Sequence, residues 1–398
     1  MRRIAQRLAD RALAAAGGLA LVCAALAAPY VPQDDAAVLE RLPIRPGDAL
    51  GRELRELRAR LAARPDDPEA ALNLGRRYLR LALAEGDPRY VGYAEAALRP
   101  WSGRNAPHDV LVLRAQLRQY RHDFAGALDD LAAAAVSDPN DPEVPLQRAA
   151  IRLAQGDYAG AAAACEALRD KGQPLDRTGC TASVDGITGR AESAYAQLSE
   201  ALARASGSTA GQKLWVFTRL AEFSLVLDRP DRAERHFKEA LALGVNDQLL
   251  LAAYADFLLD RGRAAEAVAL LGGWTHSDAL LLRLALAEKA TGAPALEDHV
   301  RSLQARFDAA ERRGDKLHLR EDARFRLHLL GDRERALALA RENWALQREP
   351  PDARLLLEAA LAADDAAAAR PALDWLARSG YEDPRLRRAA AQLEAARR

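Results

Sequence analysis

Few residues in this chain have chemistry to offer. Cys165 and Cys180 lie 15 residues apart, and no C-x-x-C or nearby histidine completes a metal-ligating set around them. In an oxidising compartment a disulfide is their favoured state; in a reducing one they would be two buried thiols behaving as small hydrophobes. The seven histidines, His108, His122, His236, His276, His299, His318 and His328, form no H-E-x-x-H and no H-x-H. His318 and His328 are ten residues apart, close to three helical turns and too distant to share one ion. Solvated surface positions account for the set. No G-x-S-x-G, P-loop or G-x-G-x-x-G after a strand occurs. Paired acids such as Asp129-Asp130 and Asp364-Asp365 read as helix-face or capping residues. The expectation is therefore a protein that is not an enzyme, with no cofactor and no metal.

Positioning elements are far better specified. Arg121-His122-Asp123-Phe124-Ala125-Gly126-Ala127 returns 34 residues later as Gln155-Gly156-Asp157-Tyr158-Ala159-Gly160-Ala161. The same interval separates Ala115 from Ala149, Ala221 from Ala255, and Ala233 from Ala267. A fixed period of this length predicts stacked helical hairpins, each burying its apolar face against its neighbours. Composition agrees: hydrophobic residues make up 49% of the 398 and aromatics only 5%, the balance of Ala- and Leu-rich helices rather than sheets. Lys+Arg and Asp+Glu are equal at 57 each, which leaves no global basic field for nucleic acid.

Arg2, Arg3, Arg7 and Arg11 precede an apolar, small-residue stretch, Ala12 to Ala28, with Ala25-Leu26-Ala27 ahead of Pro29. This pattern predicts a signal peptide over 1–28, with a retained N-terminal membrane anchor through residues 12–28 as its rival. Leu19 to Cys23 superficially resembles a lipoprotein signal, but Val22 is bulky where such signals carry a small residue. Residues 29–50, with Pro32, Pro43 and Pro46, read as a linker. A repeat block is expected over 51–205, a Ser/Gly-rich hinge at 206–213, and a second block over 214–398 that ends in a capping helix, Leu386 to Ala396. High Ala, Arg and Leu usage together with the short export segment points to a bacterial chain. Its expected location is the periplasm, either free or anchored to the inner membrane and facing that space.

Leu74-Gly75-Arg76-Arg77-Tyr78 matches an L-G-x-x-Y core, and through it and the 34-residue period the chain resembles the tetratricopeptide repeat family, as an exported bacterial member, over about 68 to 383. The resemblance implies an all-α, right-handed superhelical solenoid of about nine hairpins. Under this geometry Cys165, which takes an inward position in the second helix of one repeat, points at the next helix, where Cys180 lies on the first turns. The first helix of each hairpin would line a concave groove, which places Arg76, Gln116, Gln119, Tyr120, Trp215, Glu222, Asp256, Glu321, Phe325 and His328 toward it. Such a groove suits an extended peptide or a partner helix. The Lys, Asn and Arg clamp of the family's chaperone adaptors is missing: Leu72, Arg76, Val112 and Gln116 stand on the corresponding helices. The implied function is a non-catalytic scaffold or adaptor for protein partners. The alternatives are an assembly factor for a membrane or envelope complex, of the cytochrome maturation or polysaccharide export type, and a regulatory subunit of an enzyme encoded elsewhere.

Overall fold

The computed structural model describes residues 48–396, so the expectations for 1–28 and most of the linker lie outside the described residues. A compact unit that ends at Arg55 contributes only the start of α1 (Ala49–Ala63); the rest of the described chain, from Glu56, is a second compact unit. The account below concerns that second unit.

Among the described residues every regular element is helical. After α1 come nine antiparallel hairpins. The first three are α2 (Pro68–Glu85) with α3 (Arg89–Ala97), α4 (His108–Tyr120) with α5 (Phe124–Ser137), and α6 (Glu143–Ala154) with α7 (Tyr158–Glu166). Next are α8 (Pro174–Ile187) with α9 (Ala191–Arg204), α10 (Ala210–Val226) with α11 (Pro230–Leu241), and α12 (Gln248–Asp260) with α13 (Ala264–Leu271). The last three are α14 (Asp278–Thr291) with α15 (Leu296–Arg312), α16 (Leu319–Phe325) with α17 (Arg333–Leu346), and α18 (Pro350–Ala362) with α19 (Arg370–Ser379). Helix α20 (Pro384–Ala396) follows.

The repeat signature explains why these segments pair. Asp67, Asp123, Asp157, Asp247 and Asp332 each accept a bond from a backbone N–H in the first turn of the following helix, satisfying groups that a helix start leaves open. Ala115, Ala149, Ala221, Ala255 and Ala285 are buried where the first helices cross their neighbours. Ala127, Ala161, Ala233, Ala267, Ala336 and Ala372 do the same for the second helices. At Gly75 the crossing is tight, because a Cβ there would meet the Leu113 side chain at 3.0 Å. Cys165 on α7 and Cys180 on α8 are joined in a disulfide with Cα atoms 5.5 Å apart. The Ser/Gly stretch forms the turn between Arg204 and a capping box in which Thr209 and Gln212 close the start of α10.

The array winds past a full turn and stacks on itself. The turn of hairpin 1 meets the loop before hairpin 7, since a Cβ on Gly86 would lie 2.5 Å from Ser277 Oγ. Six hairpins on from hairpin 3, Arg348 N donates to Ala154 O at 2.7 Å just before hairpin 9. In the turn of hairpin 4, Ala191 N donates to Glu382 Oε2 at 3.0 Å, 191 residues away, and Gly189 sits against Gly380. Trp375 Nε1 donates to Tyr158 Oη at 2.6 Å across 217 residues. Apolar packing backs this seam: Ala191 and Val226, with Tyr158, Ile187 and Leu227, join the core of hairpins 8 and 9 and α20.

Candidate functional site: the inner wall

The inner wall has two parts with different electrostatics. Along hairpins 1 to 3 it is open. Arg76 Nη2 donates to Asp109 Oδ2 at 2.9 Å, with the two side chains 45% and 54% exposed. Gln116 Nε2 and Gln147 Nε2 both donate to Glu143 Oε1, at 3.2 and 3.0 Å, so three successive hairpins are tied by polar groups at matching positions. Arg76, Asp109, Val112 and Glu143 border an open depression of about 450 Å³ that extends to His108 and Asp141. Gln119 is half-buried beside them. Tyr120 lies deeper, and burial pushes its phenol up to about 12, with the charges of Asp87, Asp278 and Glu321 acting in the same sense.

From hairpin 5 onward the wall is filled by the chain's own ion pairs. Asp256 accepts from Arg283 Nη2 at 2.7 Å and from Arg324 Nη2 at 3.0 Å. Burial would raise its pKa, but the two guanidiniums outweigh that and hold the carboxyl well below the usual range. Asp260 accepts from Arg354 Nη1 at 2.7 Å and from Arg385 Nη1 at 2.9 Å, contacts that span 94 and 125 residues. Arg354 also donates to Glu358 at 2.7 Å. Against the effect of burial, His328 and Arg354 hold the Glu358 carboxyl down to about 2. His328 Nε2 is 3.5 Å from Glu358 Oε2. Arg320 is shared between Glu349 and Asp352, at 2.7 and 2.6 Å. Glu321 lies in the same region, and its carboxyl is held low against burial by Arg320, His318 and Arg283. Glu222 is weakly compensated: Arg219 is 3.0 Å away, yet burial still raises the carboxyl.

Two expected groove residues sit elsewhere or serve two roles. Phe325 is not on the wall at all; it is fully buried, with its ring centroid 5.4 Å from that of Phe307. The inner face of α16 is taken by Arg324, and one residue of helix turns Phe325 about 100° away, into the core. Trp215 is 41% exposed, but its six-membered ring lies on the backbone of α8, where a Cβ on Gly179 would come within 2.6 Å of it. It both packs and faces solvent. The arginines that fill the wall, Arg283, Arg320, Arg324, Arg354 and Arg385, were not among the expected site residues. Helical position could have flagged Arg324 and Arg354, but their acidic partners lie up to two or three hairpins away and follow no sequence period.

Among the described residues no group of three or more His, Cys, Asp or Glu is placed to hold a metal ion. No helix there is long and apolar enough to cross a membrane; residues 12–28, on which the anchor expectation rests, lie outside.

No family model matches the sequence, and no curated protein matches it. Solved structures do resemble the fold. A tetratricopeptide repeat protein from Parabacteroides merdae is 14% identical, with 64% of this chain and 90% of that one covered, at a TM-score of 0.41. PilF of Pseudomonas aeruginosa is 18% identical over 52% of this chain and 95% of its own, at 0.39. A chain of the APC/C hetero-tetramer Cut9–Hcn1 is 15% identical over 83% of this chain and 63% of that one, at 0.49.

Proposed function

We propose that this array of tetratricopeptide repeats is a non-catalytic scaffold that takes a protein partner on the inner wall of hairpins 1 to 3. One observation carries the reading. Matched inward positions of those hairpins hold the exposed Arg76–Asp109 pair and the Gln116–Glu143–Gln147 bridge beside an open depression, whereas the later hairpins spend the same positions on ion pairs within the chain. The exposed Arg76–Asp109 pair and the partly exposed Gln116 and Glu143 can exchange these internal partners for an extended peptide or helix. Export to a bacterial envelope is part of the proposal. It rests on the arginine-led apolar stretch before Pro29 and on the Cys165–Cys180 bond, a linkage that persists in oxidising compartments.

Capture from envelope and soluble fractions tests the reading when done with wild type, Arg76→Glu with Glu143→Lys, and Asp256→Asn. A partner that wild type retains should be lost from the first variant while its melting temperature is unchanged. Retention of that same partner by Arg76→Glu with Glu143→Lys would remove hairpins 1 to 3 as the docking wall.

A further inference from the structure

We propose that the seam between successive superhelical turns is an acid-sensitive latch and that His122 is the group that senses the proton. This goes beyond partner docking, because it concerns the winding of the array and not the wall that binds.

The seam is built from a repeated contact. At hairpins 1, 3 and 4 the turn that meets the next superhelical turn is a glycine with positive φ: Gly86 at 67°, Gly156 at 72° and Gly189 at 77°. Hairpin 2 breaks the pattern. There His122 takes φ 60°, the left-handed region that Asp228 and Asp364 also occupy, at 54°, in the turns of hairpins 5 and 9. An imidazole therefore stands at a turn of the seam where hairpins 1, 3 and 4 carry no side chain.

The ring is mostly buried against Phe124, with centroids 5.7 Å apart, and its Nδ1 is buried without a hydrogen-bond partner among the described residues. The charged groups that bear on it come from across the seam: His318, Arg320 and Glu321 at the start of α16, and Glu349 before α18. Arg121 and Asp123 flank it on its own turn. Arg320 is already engaged by Glu349 and Asp352, and His318 Nε2 is itself buried without a hydrogen bond, with Asp278 Oδ2 at 3.8 Å. A proton on His122 would therefore add a second cation beside Arg320 and leave a charged N–H with no acceptor.

Burial first, and then Arg320, hold the ring's pKa below its ordinary value, while Glu321 and Glu349 pull the other way without prevailing. The sign follows. The closed seam prefers the neutral ring, and an exposed histidine takes up its proton near pH 6.5, so the latch is fully engaged above that value and weakens as pH falls below it. His276 lies 3.2 Å from Glu85 across the same seam.

The test uses the full chain at constant ionic strength. Small-angle scattering gives the radius of gyration at pH 7.5 and 5.0, and hydrogen exchange corrected for intrinsic rates reports the Arg348 amide, which bonds across the seam. Wild type should expand at pH 5.0 and lose protection at Arg348, with its helical circular dichroism intact. His122→Gly fits the turn and cannot titrate, so it should stay compact and protected at both pH values. His122→Asn, which also tolerates positive φ, gives the same comparison if the glycine variant fails to fold. A wild type that stays closed at pH 5.0, one that loses helix and seam together, or a variant that opens with wild type would each overturn the proposal.

Discussion

Asp256 shows at the residue scale how the wall of the later hairpins is held. Its carboxylate is the shared partner of Arg283 and Arg324, so Asp256→Asn would leave two guanidiniums facing each other with little to separate them but protein. Denaturant titration at neutral pH should show a loss of roughly 1–3 kcal/mol. The pH dependence has a definite sign. The folded pKa is depressed, so the stability that Asp256 contributes is fully present above the unfolded value of about 3.9 and is lost as pH falls below it. The variant should therefore have a flatter acid limb below pH 4, and an unchanged limb would show that the pair is not formed in solution. From the sequence, Asp256 is legible as an inward position, because it follows the small residue Ala255 at the crossing. Its partners are not legible, because Arg283 and Arg324 approach from other hairpins. Phe325 was misread for a related reason: aromatic residues at helical spacing fit a groove or a core equally well, and only the helical phase set by Arg324 separates the two.

Among elements, the hairpins and their crossings were the most readable feature, since a small residue at each crossing is required by close packing and recurs with the period. The segment at 206–213 was read from its Ser and Gly content; in the structure it leads into a capped helix start at Thr209. The Cys165–Cys180 bond joins α7 to α8, helices of adjacent hairpins, and closes a loop with a sequence separation of 15. Locking that step of the stack should stabilise the fold by up to about 3 kcal/mol through the entropy of the unfolded chain. Reduction under native conditions should lower the melting temperature while leaving the helical circular dichroism at 20 °C largely unchanged. Alkylation of Cys165 and Cys180 in the oxidised, denatured protein would contradict the bond.

For the whole molecule, the period predicts stacking of neighbours but says nothing about what happens one superhelical turn later. That depends on small rotations added at each hairpin, which no local pattern encodes. The seam contacts join residues 191 and 217 positions apart, outside any repeat interval. The consequence is functional: a concave surface expected to be open along its length is open at hairpins 1 to 3 and filled by ion pairs farther on. The central claim, that successive turns touch, is tested most directly by a double-mutant cycle on Tyr158→Phe and Trp375→Phe. Because Trp375 Nε1 donates to Tyr158 Oη at 2.6 Å, removing both should cost less than the sum of the single losses, with a coupling of about 1 kcal/mol. Strictly additive losses would mean that the two turns stand apart in solution and that the array is an open superhelix.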